Sequence, residues 1–457
     1  MKGTRRARAR LQACLLGICA CILVCFCTAW SVTNVNLTFI TRARGVPTAE
    51  LLHVFVATND KDLLPLFVAV NSTLSAARDA NSIRFVALLP SDMADKATQL
   101  VHKLIPLANI ERIFTVDSTS LDVHRIRNLP GVGVTKYTKR RELANPYNFA
   151  AYYLPHMPKY STLRRAIYID TDTVVQADLT DLIGQCCGPQ FAVAAVEDCS
   201  QRMDTYVNRF ELQNMLNRPH LYALHKIHIS KVAQLEAALN EICVFNRGVL
   251  VLDFVIWRRL QITEEIEEWM RLFAQTLDTR ESLLYSYGVS QPPFLLTLYN
   301  RYVALERTWN VRGLGRNEFI SANEINMLKN TGIEDEVFER AGLDNLSPFV
   351  SPNAHVAKIL HYNGRHKPWK SDRQASSGKA LCGPSLRLCA ELWWNYISPR
   401  AEYLLKALME DSDTPDQGLT VITAGVPIAM EIVPSGGIRM SFGNQAVAEE
   451  VAEACAS

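Results

Sequence analysis

Two aspartates directly follow an apolar run in residues 165–176, which read RAIYIDTDTVVQ. Only one residue separates Asp170 from Asp172, so a turn can bring both carboxylates to one hard cation, which prefers oxygen ligands. A purely structural interpretation also fits, because Asp-Thr-Asp suits a turn whose side chains accept hydrogen bonds from backbone amides. The triplet alone does not decide between a metal site and a turn.

A second set of chemically useful residues lies in HYNGRHKPW, residues 361–369. His361 can complete a metal site with the two aspartates, and this ligand set suits manganese better than calcium. Gly364 permits a close backbone approach, and Lys367 can neutralise a phosphate oxygen. Two acids, a histidine, a glycine and a lysine together have the chemistry to hold a metal-bound diphosphate.

The elements that must position these residues are strands alternating with helices. Strands are predicted at 51–57, 83–90, 108–117 and 165–170, and helices at 64–77, 92–107, 148–154 and 263–277. Two further short apolar runs, FAVAAVED and FNRGVLVLDF, follow the metal motif. Alternation of this kind predicts an α/β fold with a mostly parallel sheet covered on both faces. Ligands of such sheets lie beyond the carboxyl ends of the strands, where Asp170 and Asp172 stand.

The N-terminal segment differs from the rest of the chain. Basic residues between Lys2 and Arg10 precede an apolar run from Leu11 to Trp30, and no charge recurs before Arg42. This run is long enough to cross a bilayer as one transmembrane helix. A signal peptide cleaved near Ala29 is the alternative. Because basic residues keep the N-terminal side cytosolic, we expect a single-pass type II membrane protein with its catalytic domain in the lumen.

The domain organisation follows from these patterns. We predict a cytosolic basic segment at 1–10, a signal-anchor at 11–30, a stem at 31–50, a catalytic domain at 51–405 and a C-terminal tail of unknown role at 406–457. The net charge of +2 over 457 residues argues against a nucleic-acid partner. The one dense basic run, within 136–141, is either a solvated loop or an anion-binding patch.

Cysteines and glycosylation sequons are consistent with a luminal domain. Five of the 12 cysteines lie in the apolar run, so seven remain outside it, and an odd number leaves at least one unpaired. No Cys-x-x-Cys pair is present, which argues against a structural zinc site. Sequons at Asn36, Asn71 and Asn345 are permitted by this topology.

The sequence resembles glycosyltransferase family 8, whose members include glycogenin and the plant galacturonosyltransferases. Four blocks carry the resemblance: HVFVATND, AIYIDTDTVVQADLTDL, CVFNRGVLVLDFVIWRR and HYNGRHKPW. A fifth block, QPPFLLTLYNRYVALERTWNVRGLG, resembles the animal glycosyltransferase 8 domain-containing branch and the plant enzymes more than glycogenin. The blocks occur in consistent order between 51 and 370 and cover neither the anchor nor the tail.

This resemblance implies a GT-A fold, a Rossmann-like mostly parallel sheet, and transfer of a sugar with retention of its anomeric configuration. The donor is expected to be a UDP-sugar, the metal Mn²⁺ and the acceptor a glycan or glycoconjugate. Type II transferases of this kind are expected in the Golgi membrane. The sugar and the acceptor themselves stay open.

The resemblance also assigns roles to individual residues. The residues that match metal ligands are Asp170, Asp172 and His361. The residues that match the uridine cradle are Ala57, Thr58 and Asn59, and those that match diphosphate contacts are Gly364 and Lys367. Asn246 resembles a residue near the donor sugar, and the expected catalytic set is Asp170, Asp172, Asn246 and Lys367. Catalysis would be electrostatic, with the metal and Lys367 stabilising the UDP leaving group.

Three departures from the family pattern bear on activity. Ala151 stands where the family commonly has an arginine that helps to hold the donor, and basic residues at 139–141 could compensate. Arg247 stands where FN-x-GV usually has a small residue or proline, and it either reads an acidic sugar or acceptor or points outward. Pro292-Pro293 replaces an Asp-Gln pair and indicates the subfamily. Cys199 and Cys243 also resemble branch features, and their pairing is a hypothesis.

Two rival classes of function compete with the transferase. A glycoside hydrolase needs two carboxyl groups flanking a sugar, about 5 to 9 Å apart. Two acids two residues apart, with a histidine and a lysine, fit a metal and a phosphate better. A catalytically weak or inactive family member could instead act as a sugar-nucleotide or glycan-binding protein, which Ala151 and Arg247 would favour. Metal-dependent turnover of a UDP-sugar separates these possibilities.

Overall fold

The computed structural model describes residues 51–130, 132, 144–222, 227–279, 282–286, 288–316, 357–370, 381–382, 387–399, 401–403, 419–423, 426–432 and 438–442. The chain divides into Met1–Glu50 and Leu51–Ser457, and every described residue belongs to the second unit. The predicted cytosolic segment, anchor and stem, and the basic run within 136–141, lie outside the described residues. Among the residues that are described, no helix has both the length and the apolar character needed to cross a membrane.

A seven-stranded mixed sheet forms the centre of the described structure. Its strands are β1 (Leu52–Ala57), β2 (Ile83–Leu88), β3 (Phe114–Asp117), β4 (Arg165–Ile169), β6 (Val193–Arg202), β7 (Cys243–Asp253) and β8 (Tyr302–Leu305), and their order is β3-β2-β1-β4-β7-β6-β8. The β3–β2, β2–β1, β1–β4 and β6–β8 pairs are parallel. The two pairs made by β7, with β4 and with β6, are antiparallel. The prediction of a mostly parallel α/β sheet is confirmed.

Helices cover both faces of this sheet. The helices are α1 (Leu64–Ala76), α2 (Ser91–Leu104), α3 (Ile110–Ile113), α4 (Val123–Arg127), α5 (Thr180–Ile183), α6 (Arg209–Asn217), α7 (Ile229–Ala238), α8 (Phe254–Arg259), α9 (Ile262–Thr279), α10 (Gln291–Leu298) and α11 (Cys389–Trp394). In β1, Val54 and Val56 pack with α1 and α2, whereas Phe55 packs in the core on the other face with α8 to α10. Strands that are apolar on both faces are typical of a sheet buried between two helical layers.

Two sequence-based element predictions were wrong in detail. The stretch 108–117 was predicted as one strand, but its first part forms α3 and only its last four residues form β3. Ile110 and Ile113 are spaced three apart and both buried, which places them on one face of a helical turn. The helical stretch at 148–154 is a 3₁₀ helix, Pro146–Tyr152, in which Asn145 caps the first turn by accepting from the amide of Asn148.

Smaller sheets lie apart from the central one. The strand β5 (Thr173–Val175) pairs antiparallel with β9 (Ile359–His361), and β10 (Leu381–Cys382) pairs with β11 (Arg387–Leu388). Within the predicted tail, β12 (Leu419–Thr423), β13 (Val426–Ile432) and β14 (Ile438–Phe442) form a three-stranded antiparallel sheet. The β5–β9 pair matters for function because it extends the motif that contains both aspartates.

The structure also tests the expectations about cysteines and sequons. Cys199 in β6 and Cys243 in β7 form a disulfide with a Cα–Cα distance of 4.4 Å, so the pairing hypothesis is confirmed. Asn71 does not present its amide to solvent as a glycosylated residue must, because its Nδ2 donates to the carbonyl of Tyr396 at 2.8 Å. Thr73 of the same sequon is fully buried, which makes this sequon inaccessible in the folded chain. The other two sequons lie outside the described residues.

Candidate functional site

The two aspartates lie in a tight turn between β4 and β5. The amide of Asp170 donates to the carbonyl of Gly248 in β7 at 2.8 Å, which continues the β4–β7 pairing by one residue. The hydroxyl of Thr173 donates to the carbonyl of Asp170 at 2.7 Å and closes the turn. Thr173 pairs with His361 in the β5–β9 ladder, so the histidine arrives directly beside both carboxylates.

The three predicted metal ligands converge. The Nε2 atom of His361 lies 3.1 Å from Oδ1 of Asp172 and 3.7 Å from Oδ2 of Asp170. One ligand atom from each residue lies within 4.8 Å of the others. His361 is buried, and its Nε2 atom makes no hydrogen bond within the described part of the chain. A buried imidazole nitrogen without a partner, facing two carboxylates, fits a divalent cation held by one nitrogen and two oxygens.

A chain of amides fixes which nitrogen of His361 faces the carboxylates. The amide N–H of Gly248 donates to Oδ1 of Asn246 at 2.8 Å. Asn310 donates from its Nδ2 to the same Oδ1 at 3.2 Å, so the Oδ1 of Asn310 must face Nδ1 of His361, 3.0 Å away. The proton therefore sits on Nδ1, and the lone pair of Nε2 points toward the aspartates. Metal-binding histidines are commonly oriented in this way by a second partner.

Asn310 was missed by the sequence analysis. It lies in the WNVRGLG part of the fifth block, within a 3₁₀ turn, Arg307–Asn310, and is buried. A buried asparagine in a conspicuous block was the available signal, but nothing local connected it to His361.

Lys367 lies next to the metal-ligand set. Its ammonium pairs with Oδ2 of Asp172 at 2.5 Å and donates to the carbonyl of Tyr362 at 2.8 Å. Burial acts to raise the pKa of Asp172, but the charge and hydrogen bond of Lys367 oppose it, and that pKa is held well below its usual range. For Asp170, burial dominates and raises the pKa, with only partial opposition from Arg247. A bound cation would favour the ionised form of both carboxyl groups.

Gly364 shapes the loop that carries Lys367. Its φ of +135° lies in a region that favours glycine, and a Cβ there would collide with the carbonyl of Gly315. A Cβ on Gly315 would in turn lie 2.5 Å from the carbonyl of Tyr362 and 2.7 Å from that of His366. The two loops thus pack backbone against backbone. The close backbone approach predicted at Gly364 is confirmed, and the backbone that approaches it is that of Gly315 in the same chain.

The predicted uridine-binding residues lie at the end of β1, beside the aspartate turn. The β1–β4 pairing sets Phe55 against Tyr168, which brings Ala57 level with the end of β4. Thr58 and Ala57 are half-buried and Asn59 is exposed. Asp60, which follows them, pairs with Lys370 at 3.4 Å and so links this strand end to the loop after β9. Their role toward uridine stays a prediction.

Arg247 does not point outward, so that alternative is wrong. It is buried, donates from Nη1 to the carbonyl of Asn148 at 2.8 Å and makes a second hydrogen bond from Nη2 to Oδ1 of Asn148. Ala151 is buried in the same 3₁₀ helix as Asn148. The basic residues at 139–141, proposed as replacements for an arginine at 151, lie outside the described residues. Pro292 and Pro293 start α10, where proline costs no helical hydrogen bond.

Solved structures include distant likenesses. The apo structure of the bifunctional WbbM glycosyltransferase superposes with a TM-score of 0.47 and 16% identity, covering 80% of this chain and 53% of that one. At this level the likeness carries no argument about function.

Curated relatives and a family model give the stronger comparison. The Xenopus tropicalis "Glycosyltransferase 8 domain-containing protein 1" is 29% identical over 228 residues, which is 50% of this chain and 52% of the relative. The Mus musculus protein of the same name is 25% identical over 334 residues, which is 72% of this chain and 77% of that one. The chain thus spans about half the length of the first relatives it matches.

The family model described as "Glycosyl transferase family 8" matches residues 53–373. That single span includes β1, the aspartate turn, Asn246 and the loop with His361 and Lys367. The fold is accordingly GT-A-like, with its mostly parallel mixed sheet, and the prediction of the family is confirmed. On this match, which runs through every element that builds the site, the chain belongs to glycosyltransferase family 8.

Proposed function

We propose that this chain is a membrane-anchored, metal-dependent, retaining glycosyltransferase that moves a hexosyl or hexuronosyl group from a UDP-sugar to a glycan or glycoconjugate acceptor. The observation that carries the proposal is the convergence of Asp170, Asp172 and His361, with the unpartnered Nε2 of the histidine facing both acids. The positive charge of Lys367 beside Asp172 extends the site toward a bound phosphate.

Each residue of the site has a distinct task in this proposal. A manganese ion held by the two aspartates and His361 would supply Lewis acidity toward the diphosphate. The ammonium of Lys367, held by Asp172 and a backbone carbonyl, neutralises charge that develops on the leaving diphosphate. The Oδ1 of Asn246 is occupied by two donors, so a contact of this residue with the donor sugar would use its Nδ2.

The arrangement favours transfer over hydrolysis by paired carboxyl groups. Glycosidase carboxyl groups flank a sugar ring, whereas here the carboxylates of Asp170 and Asp172 share the same side of one imidazole, all three ligand atoms lying within 4.8 Å of one another. Lys367 further neutralises one of the two acids. No room is left between the carboxylates for a sugar, so we assign neither aspartate as a nucleophile.

Membrane attachment and compartment are part of the proposal. The apolar run 11–30 behind a basic N-terminus supports a single-pass type II anchor that places the catalytic domain in the Golgi lumen. Protease protection of the full-length chain in sealed Golgi vesicles tests this topology. Digestion of the catalytic domain without detergent would contradict it.

The decisive experiment measures sugar release by the full-length chain. A panel of UDP-sugars is incubated with manganese, with and without chelator, and UDP is quantified. We compare wild type with the Asp170→Ala plus Asp172→Ala double variant and with Asp181→Asn, a half-exposed aspartate that pairs with Arg78. We expect metal-dependent release from at least one donor, lost in the double variant and kept in Asp181→Asn.

The same experiment distinguishes the alternative function. UDP binding that needs manganese and the two aspartates, without turnover on any donor or with any acceptor, would favour a sugar-nucleotide-binding protein. Turnover that persists with chelator or in the double variant would refute the proposed mechanism.

A further inference from the structure

Arg247 is a buried cation to which the mechanism proposed above gives no role. Its guanidinium bonds the carbonyl and the side-chain oxygen of Asn148. Among the described residues no carboxylate oxygen lies within 4.0 Å of it, so its contacts are with neutral groups. Placing a guanidinium in a buried site without an acidic contact is unfavourable unless another group compensates it.

The neighbours of Arg247 place it at the site. The next residue, Gly248, accepts the amide of Asp170, so Arg247 lies one position from the backbone that touches the aspartate turn. The preceding residue, Asn246, belongs to the amide chain behind His361. The segment 246–248 therefore reaches both the histidine and the first aspartate.

The 3₁₀ helix explains how the side chain is accommodated. Residues three apart eclipse one another in a 3₁₀ helix, so Asn148 and Ala151 share one face. The guanidinium is hydrogen-bonded to Asn148, and Ala151 is the next residue on that face. The two departures from the family pattern thus meet at one place: an arginine on β7 and an alanine on the facing helix.

We propose that Arg247 is a donor-sugar-binding residue, which contacts oxygen atoms of the transferred sugar next to Asp170. A guanidinium carries five N–H groups, and two hydrogen bonds to Asn148 leave donor capacity for a ligand. The acceptor oxygens on the sugar are either hydroxyls of a neutral hexose or the carboxylate of a hexuronate. The inference rests on the proposed function, because it presupposes a UDP-sugar beside the aspartates.

A purely structural role predicts something different. If Arg247 only joins β7 to the 3₁₀ helix, its removal lowers stability and weakens UDP and UDP-sugar binding alike. A sugar contact instead affects the UDP-sugar and leaves UDP itself unaffected. Moving the arginine to the facing helix also separates the two roles. If Arg247 contacts the sugar, an arginine at position 151 can reach the same sugar and restore turnover. If Arg247 is purely structural, the moved arginine restores nothing.

The experiment compares four forms of the full-length chain: wild type, Arg247→Ala, the relocation variant Arg247→Ala plus Ala151→Arg, and Arg258→Ala. Arg258 is the matched control, since it too donates two hydrogen bonds, in its case to the backbone carbonyls of Pro155 and Ser161. Calorimetry with UDP and manganese is combined with turnover of UDP-glucose, UDP-galactose, UDP-glucuronate and UDP-galacturonate. Melting temperatures are recorded for every form.

For Arg247→Ala we expect UDP affinity within about threefold of wild type and a fall of about 10- to 100-fold in kcat/KM for the preferred donor, as for loss of a hydrogen bond to a charged group. The relocation variant should have a kcat/KM at least about tenfold higher than that of Arg247→Ala. A loss confined to the two uronates identifies the carboxylate as the contact, and an equal loss for all donors identifies a hydroxyl. Arg258→Ala should match wild type.

Several outcomes overturn the inference. Unchanged turnover in Arg247→Ala would overturn it, and so would equal losses of UDP affinity and of turnover. A relocation variant whose kcat/KM is no higher than that of Arg247→Ala would also overturn it. If Arg247→Ala does not fold, Arg247→Lys, which keeps the charge without the planar fork, must show the same selective loss. A wild type that binds no UDP with manganese and turns over no donor would instead refute the proposed function, and this inference with it.

Discussion

Asn310 offers the sharpest test of the metal site, because it acts on the metal without touching it. Substituting Asn310 by alanine removes the acceptor for Nδ1–H of His361 and the donor to Asn246. The imidazole then loses the contact that fixes its tautomer and its orientation. We expect weaker metal binding although all three ligands are still present.

The expected magnitude follows from two independent estimates. Removing the outer partner of a metal-bound histidine lowers metal affinity about 10- to 100-fold. Leaving a buried donor unsatisfied costs about 1–3 kcal/mol, which corresponds to about 5- to 150-fold. Asn310 and His361 are both buried, so water does not readily replace the lost bond. The two estimates agree, and we expect manganese to bind about 30-fold more weakly.

The assay is calorimetric titration of manganese into the UDP-saturated full-length chain. Asn310→Asp is the conservative variant, because its carboxylate still accepts from Nδ1–H of His361 while the donor to Asn246 is lost. We expect its manganese affinity to stay within about threefold of wild type, in contrast to the alanine variant. Wild-type affinity in Asn310→Ala, or equal weakening in both variants, would refute the role of the Nδ1–H bond.

Three further predictions concern the fold around the site. Gly364→Ala should destabilise the chain by about 2 kcal/mol and abolish UDP binding, because a side chain at φ +135° collides with the carbonyl of Gly315. A wild-type melting temperature would contradict this. Burial acts to raise the pKa of Asp117, but hydrogen bonds from hydroxyls and an amide and the nearby Lys159 ammonium hold it well below its usual range. The stabilisation by ionised Asp117 is complete above an unfolded pKa of about 4 and disappears as the pH falls through the folded pKa. Asp117→Asn should therefore melt at a lower temperature than wild type at pH 7, and the two melting temperatures should approach each other in acid. A difference in melting temperature that does not change with pH would refute the assignment. Replacing Cys199 and Cys243 by serine opens a loop with a sequence separation of 44 and should lower the free energy of unfolding by about 4 kcal/mol on a chain-entropy estimate. Denaturant titration measures this change, and an unchanged free energy of unfolding would contradict it.

The convergence of the candidate metal ligands could be predicted from the sequence because their chemistry is local. Asp170 and Asp172 end a strand that is recognisable from its apolar residues, and the carboxyl ends of parallel strands are where ligands lie. His361 and Lys367 stand in one short block with a glycine between them. Residue types and order were enough to group them, and the β5–β9 pairing supplied the proximity.

The supporting residues could not be predicted, because only tertiary structure connects them. Asn310 precedes His361 by 51 positions, and no periodicity links a 3₁₀ turn to a strand. The direction of Arg247 was open for a related reason. The β6–β7 pairing shifts register between Ala195 and Glu197, and such an irregularity breaks the alternation by which a strand residue is assigned to a face.

The same geometry decides how the two family departures should be interpreted. Taken separately, Ala151 looks like a lost donor contact and Arg247 like an awkward charge, and both favour an inactive binding protein. In the structure Arg247 bonds the helix that carries Ala151, and the next residue, Gly248, accepts the amide of Asp170. Arg247 thus supplies from strand β7 a positive charge that the family pattern has at position 151 on the helix. The departures therefore do not weaken the case for catalysis, and they shift the question to which sugar this arginine accepts.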